Sequence, residues 1–121
     1  MRVLLDECLP HQLRGYLRHH DTHTAVHAGF GGLKNGKLLD AAARAGFDTL
    51  VTGDLSLGYQ QNLADWKLTV ISLSAQNWRV IRPNVAMIVA AVDAAQPGSI
   101  IRVDCGAFSR RRRKPPPPGL T

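Results

Sequence analysis

The chain has 121 residues, of which 45% are hydrophobic, so it can bury the core of one domain and has no room for a second. Its formal net charge is +6, but most of that charge lies in Arg110–Lys114, RRRRK, so the basic balance describes the C-terminal segment and not the fold. The two cysteines, Cys8 and Cys105, exclude a disulfide-rich scaffold and a cysteine-based zinc module.

The start of the chain shows no signal peptide, because Met1–Leu5 runs directly into a predicted strand. The apolar runs are also much shorter than the stretch that a membrane-spanning helix needs. We therefore expect a soluble, cytoplasmic protein without a membrane partner.

Apolar runs bounded by turn residues predict β-strands, and apolar residues at helical spacing predict the helices between them. Five strands are predicted, at Arg2–Leu5, Asp21–His27, Phe47–Thr52, Lys67–Leu73 and Ser99–Val103. Four helices are predicted, near Pro10–His19, Gly36–Ala45, Tyr59–Asp65 and Pro83–Ala95. This alternation indicates an α/β fold with a mostly parallel sheet over residues 1–108, in which the last strand lies at an edge.

Three connecting segments have their own predictions. Asn35 is expected to cap the second helix and Gly46 to end it, and Asn77–Arg82 is predicted to be a loop. Residues 109–121 lack apolar periodicity and are expected to be a disordered, proline-rich tail. The basic run within that tail either binds nucleic acid non-specifically or only improves solubility.

Acidic residues follow two of the predicted strands. Asp6 and Glu7 end the first, RVLLDE, and Asp54 ends the central TLVTGD stretch. Parallel strands carry their carboxyl ends to one edge of the sheet, where open α/β folds place their sites. Two carboxylates brought together there repel each other unless a cation lies between them, so we expect Asp6 and Asp54 to bind a divalent cation such as Mg²⁺. The alternative is that each Asp only caps a turn.

Other polar residues are weaker candidates. Asp40 lies within the second helix and is either a third metal ligand or a solvated helix residue. The glycines of Gly29–Gly32, together with Lys34 and Lys37, are candidates for contact with a phosphate backbone. The histidines lack the usual spacing of zinc ligands, and the His19–His20 pair is expected to interact with a helix dipole. These histidines are His11, His19, His20, His23 and His27.

Four stretches resemble a family of small uncharacterised bacterial PIN-like proteins, and together they span most of Met1–Val103. They are LLDECLP (Leu4–Pro10), GGLKNGKLLDAA (Gly31–Ala42), GDLSLGYQQNLA (Gly53–Ala64) and QNWRVIRPNVAMI (Gln76–Ile88). The resemblance implies a three-layer α/β/α PIN-like fold and a Mg²⁺- or Mn²⁺-dependent endoribonuclease. It further implies the toxin half of a toxin–antitoxin pair, similar to VapC-type toxins, with an antitoxin protein as partner and a homodimer as the assembly.

The resemblance also assigns roles to residues. Asp6 and Asp54 match the acidic metal ligands that end the first strand and a later central strand, and Glu7 matches the acidic residue after the first of them. Asp40 is expected as a third metal ligand only from its place in the second predicted helix. The chain departs from the pattern at Lys37, where related proteins often carry an acidic residue at the start of the middle helix. The expected contacts with the RNA substrate are Lys34, Asn35, Lys37, Gln60 and Gln61.

Two other functions remain open from the sequence. Lys37 stands where related proteins often carry an acidic residue, so the chain could also be a PIN-like module that binds a partner and has lost catalysis. A two-component receiver domain would use Asp6–Glu7 as its acidic pair, Asp54 as phosphate acceptor, and Ser72 or Ser74 as the hydroxyl. Receivers also need a lysine after the fifth strand, and here Val103 is followed by Asp104, Cys105 and Gly106.

Overall fold

A computed structural model describes residues 1–33, 35–53 and 67–105 of the chain. The predicted helix Tyr59–Asp65 and the predicted tail at residues 109–121 lie outside the described residues. So do four predicted site residues, Lys34, Asp54, Gln60 and Gln61.

One parallel sheet organises the described part of the chain. Its strands are β1 (Arg2–Leu5), β2 (Asp21–Thr24), β3 (Thr49–Thr52), β4 (Thr69–Leu73) and β5 (Ile100–Val103). They lie in the order β2-β1-β3-β4-β5, and every neighbouring pair is parallel. The predicted α/β class is confirmed, and the last strand lies at an edge as expected.

Helical segments connect the strands. They are a 3₁₀ helix (His11–Leu17), α1 (Asn35–Arg44), α2 (Trp78–Ile81), a 3₁₀ turn (Arg82–Asn84) and α3 (Val85–Asp93). The 3₁₀ helix His11–Leu17 is shorter than the predicted helix near Pro10–His19, and it is not an α-helix. Gly15 lies in its middle, and Pro10 at its N-cap makes no side-chain capping bond, so the segment has little intrinsic helix stability.

The prediction of a loop at Asn77–Arg82 was wrong. The side chain of Asn77 accepts a 2.8 Å hydrogen bond from the backbone N–H of Arg79, and this cap starts α2 five residues before the predicted start at Pro83. Pro83 is tolerated because it lies in the first turn of the 3₁₀ segment that joins α2 to α3.

Alternate residues of each central strand enter different cores, because successive side chains of a strand point to opposite faces. Val3, Leu5 and Val51 pack with residues of the 3₁₀ helix, α2 and α3, whereas Leu4 and Leu50 pack with residues of α1. The sheet therefore has helices on both faces, in three layers. Because both faces of the sheet are covered, every residue of β3 and β4 is buried, including the polar Thr49, Thr52, Thr69 and Ser72.

Candidate functional site

The strand order creates a switch point between β1 and β3. From β1 the chain passes to β2 on one side, and it then crosses to β3 on the other side of β1. Open α/β sheets form a crevice outside the carboxyl ends of the strands where the order reverses in this way. Asp6 is the first residue after β1 and Gly53 the first after β3, so both lie at this crevice.

The carboxylate of Asp6 is anchored between the two strands. Its backbone N–H donates to the carbonyl of Val51 (2.9 Å), which continues the β1–β3 pairing by one residue. Its Oδ2 accepts a 2.6 Å hydrogen bond from the hydroxyl of buried Thr52. An ionised carboxylate has four acceptor positions, so this bond orients the group and leaves capacity for a ligand.

Cys8 lies beside this carboxylate. Its Sγ accepts a hydrogen bond from the N–H of Gly53 (3.4 Å) and so connects the residues after β1 to the end of β3. Burial raises the pKa of the Cys8 thiol, and the negative charge of Asp6 raises it further. The thiol therefore stays neutral at physiological pH and adds no second negative charge next to Asp6.

Gln76 covers Gly53 from the other side. Its Nε2 donates to the carbonyl of Gly53 (3.3 Å), and a Cβ at Gly53 would lie 2.5 Å from Cγ of Gln76. A side chain at position 53 would therefore displace the glutamine side chain, which lies against the backbone of Gly53. Cys8 and Gln76 thus fix the residue that precedes Asp54, whose own position lies outside the described residues. The predicted pairing of Asp6 with Asp54 stays a prediction.

Glu7 and Asp40 each have a partner of their own. Oε1 of exposed Glu7 accepts from the N–H of Gly32 (2.7 Å), which lies in the left-handed region at φ +84°. Oδ2 of Asp40 accepts from Nε of Arg44, one turn later in α1, at 2.8 Å. Glu7 therefore holds the glycine loop at the site, and Asp40 has an ordinary helix-surface ion pair.

The remaining predicted contacts lie in α1. Asn35 is its first residue rather than the residue before it, and Lys37 is in its first turn. The helix packs against the Leu4 and Leu50 side of the sheet. As predicted, Gly46 follows its end, with a φ of +82°.

Two adjoining cavities lie beside the 3₁₀ helix. The first, about 290 Å³, is lined by both acidic residues Asp6 and Glu7 and also by His11. The second, about 540 Å³, is lined by His11, Arg14 and Arg18. His11 lines both cavities, so the acidic cavity and the basic cavity lie on either side of this residue.

Several residues of this site were not predicted from the sequence. Thr52 reaches Asp6, and Gln76 reaches Gly53, only through tertiary structure. Cys8 is two residues after Asp6, but its contact with Gly53 does not follow from the sequence. Thr52 gave one signal, since it is a polar residue at the end of an apolar strand next to a predicted site. Arg14 and Arg18 gave another, since their four-residue spacing places two cations on one side of a helical segment.

Comparison of the chain with protein-family models, curated proteins and solved structures found no match. No helix in the described ranges has the length and apolar character that crossing a lipid bilayer requires. The PIN-like resemblance of the sequence motifs therefore remains a hypothesis.

Proposed function

We propose that the chain is a Mg²⁺- or Mn²⁺-dependent endoribonuclease of PIN-like type, the toxin component of a toxin–antitoxin pair. The observation that carries this proposal is the carboxylate of Asp6, held by Thr52 at the β1–β3 switch point next to Gly53. The sequence continues from Gly53 to Asp54, which supplies the second carboxylate of the proposed site.

The residues at this crevice suit a hard divalent cation. Asp6 and Glu7 line one cavity, and their carboxylate oxygens are the ligand type that Mg²⁺ and Mn²⁺ prefer. A bound cation would offset the repulsion between carboxylates and supply Lewis-acid stabilisation of charge at a phosphodiester. Thr52 keeps the Asp6 carboxylate in one orientation, and the neutral thiol of Cys8 adds no charge beside it.

The neighbouring basic cavity suits the phosphate backbone of the substrate. Nε of Arg14 donates to the carbonyl of Thr22 (3.1 Å), which fixes the guanidinium, and Arg18 is exposed in the next turn. Asp21 also lines this cavity, but Arg2 lies 3.4 Å from its carboxylate and offsets its charge, and His23 forms a hydrogen bond with it (2.8 Å). Phosphates that contact Arg14 and Arg18 would direct the strand past His11 towards Asp6.

A receiver domain is the second candidate, because the order β2-β1-β3-β4-β5 is also the flavodoxin-like order that receivers use. Two observations count against it. The Ser74 hydroxyl accepts a hydrogen bond from the N–H of Cys105 (2.7 Å), so it is engaged with the backbone. The six residues after Val103, DCGAFS, contain no lysine to hold a phosphoryl group.

Cleavage of mixed single-stranded RNA in Mn²⁺ or Mg²⁺ tests the proposal, with EDTA as the metal-free condition. We expect Asp6→Asn and Asp54→Asn to lower the rate by about 100-fold or more while the proteins stay folded. Asp48→Asn is the matched control. Asp48 lies just before β3 at the opposite sheet end, where it accepts a hydrogen bond from the N–H of Arg2 (2.8 Å), and this variant should cleave normally.

Two results would contradict the proposed nuclease activity. One is cleavage by Asp6→Asn at the wild-type rate, and the other is wild-type protein without metal-dependent cleavage. Incorporation of phosphate from acetyl phosphate at Asp54 would establish the receiver instead. A protein that neither cleaves RNA nor takes up phosphate would be the inert binding module.

A further inference from the structure

Two histidines and an aspartate meet at the end of the sheet opposite to Asp6. His19 and His20 follow the 3₁₀ helix and immediately precede β2, whose first residue pairs with Arg2 at the start of β1. Asp93 is the last residue of α3. The cluster therefore joins two helical segments that pack on the same face of the sheet.

The three side chains converge on one point. Nε2 of His19 and Nε2 of His20 each lie 2.7 Å from the same atom, Oδ1 of Asp93. The two rings lie against each other with their centroids 4.2 Å apart. All three candidate ligand atoms lie within 4.8 Å of one another, the only such group of three within the described ranges.

We infer that His19, His20 and Asp93 form a binding site for a divalent transition-metal ion of the zinc class. Two imidazole nitrogens and one carboxylate oxygen are ligands typical of Zn²⁺ and its neighbours, whereas Mg²⁺ and Ca²⁺ prefer oxygen alone. Each of the two N–O contacts is now a hydrogen bond. A metal ion bound by the same three atoms would replace the shared protons.

The exchange requires a change in the two N–O distances and an adjustment of the two imidazole nitrogens, which lie within 4.8 Å of each other. Ligand atoms at zinc–ligand bond lengths around a tetrahedral centre are about 3.3 Å apart, so the N–O separations need to open by about half an ångström. The His20 side chain is only 11% exposed and is therefore held by its surroundings. The side chains of His19 and Asp93 are 49% and 47% exposed, which lets them adjust and leaves a side open for water as a fourth ligand.

The charge state of Asp93 also favours a cation. Its hydrogen bonds with His20 and His19 lower the pKa of its carboxyl group, so the carboxylate is ionised at neutral pH. One feature limits the affinity. Nδ1 of His20 is buried and has no hydrogen-bond partner within the described part of the chain, whereas metal-bound histidines normally donate from their second nitrogen. We therefore expect binding in the micromolar range and not tighter.

Isothermal titration of the full chain with Zn²⁺ tests the site, with excess Mg²⁺ present to occupy any site of carboxylates alone. We expect one Zn²⁺ per chain and a rise in melting temperature with Zn²⁺ concentration, because the ion binds only the folded cluster. Co²⁺ in place of Zn²⁺ should give a visible spectrum without thiolate charge-transfer bands. Such bands would locate the ion at Cys8 or Cys105 and overturn the proposal.

Variants locate the ion further. His19→Asn and Asp93→Asn should each weaken Zn²⁺ binding by about tenfold or more. His23→Asn is the matched control, because His23 also contacts a carboxylate, Oδ1 of Asp21 at 2.8 Å, but in a pair without a second histidine. Unchanged affinity in both His19→Asn and Asp93→Asn, or wild-type binding no tighter than millimolar, would refute the site. RNA cleavage is not part of this readout, so the result is independent of the proposed nuclease.

Discussion

The hydroxyl of Thr52 donates a 2.6 Å hydrogen bond to Oδ2 of Asp6, across the two strands that flank the switch point. A carboxylate that is free to rotate would sample several positions, and the cation or substrate would have to select one of them. This bond removes that freedom before any ligand arrives, which is how supporting residues preorganise a site.

Replacing Thr52 by valine tests the anchor, because valine has nearly the same shape but no hydroxyl. We expect Thr52→Val to cost about 1–2 kcal/mol of stability through the lost bond to a charged acceptor. Metal-dependent RNA cleavage should fall by about tenfold as Asp6 loses its orientation. Thr52→Ser retains the hydroxyl and should remain close to wild type in both urea unfolding and cleavage. Equal cleavage by Thr52→Val and wild type would show that the bond has no role at the site.

Cys8 can report on the charge of Asp6. Because that charge helps to raise the pKa of the thiol, Asp6→Asn should lower the pKa of Cys8 and increase its rate of alkylation by iodoacetamide at a fixed pH near 8. Mass spectrometry separates the Cys8 peptide from that of buried Cys105, which is the internal control. Asp48→Asn should leave the rate unchanged. An Asp6→Asn protein with the wild-type rate at Cys8 would mean that the two side chains are not neighbours.

The contact between Gly53 and Gln76 predicts a dependence between the two positions. Gly53→Ala places a methyl group against Cγ of Gln76, so the glutamine must change rotamer and lose its bond to the Gly53 carbonyl, at a cost of about 0.5–1.5 kcal/mol. The same substitution in a Gln76→Ala background should cost nothing measurable, because the obstacle is gone. Thermal unfolding of the two single variants and the double variant measures this coupling. Additive effects would contradict the contact.

The strands could be predicted from sequence more reliably than their bounds. The run beginning at Phe47 predicts a strand, yet β3 starts at Thr49. The reason is the end of α1, where the N–H of Phe47 bonds to the carbonyl of Ala42 and that of Gly46 to Ala43. This is the Schellman arrangement, and it uses Phe47 to close the helix before the strand can begin. Hydrophobicity shows that Phe47 is buried, but it does not show which element uses its backbone.

In the candidate site, too, local patterns could be predicted from the sequence and long-range contacts could not. Asp6 could be predicted because a carboxylate at the end of an apolar run is visible locally and the sheet edge follows from the fold class. The neighbours of Asp6 could not, since Thr52 is 46 residues away and the bond depends on which strands pair. His19 and Asp93 are 74 residues apart, so no ligand spacing would reveal them. The sequence predicted that His19 and His20 interact with a helix dipole, and it did not reveal their hydrogen bonds with the carboxylate of Asp93.

The start of α2 gives a prediction independent of function. Asn77→Ala removes the acceptor for the Arg79 N–H and should destabilise the protein by about 1 kcal/mol. Asn77→Asp keeps a capping oxygen at the same position and should be as stable as wild type. Urea unfolding of the two variants makes the comparison. If alanine and aspartate gave the same stability, the segment before Pro83 would not depend on its cap.

The pH dependence of Asp93 follows from the direction of its pKa shift. The histidine hydrogen bonds lower the pKa of this carboxyl in the folded state below its ordinary value of 3.8. A carboxyl with a lowered folded pKa contributes stability that is complete above the unfolded pKa and is lost as the pH falls through the folded pKa. In EDTA-containing buffer, wild type should therefore be more stable than Asp93→Asn at pH 5, and this difference should narrow below about pH 3.8. Urea unfolding at intervals between pH 6 and pH 2.5 measures it. A difference that stays constant to the lowest pH, or that is absent at pH 5, would show that the histidines do not stabilise the ionised carboxylate.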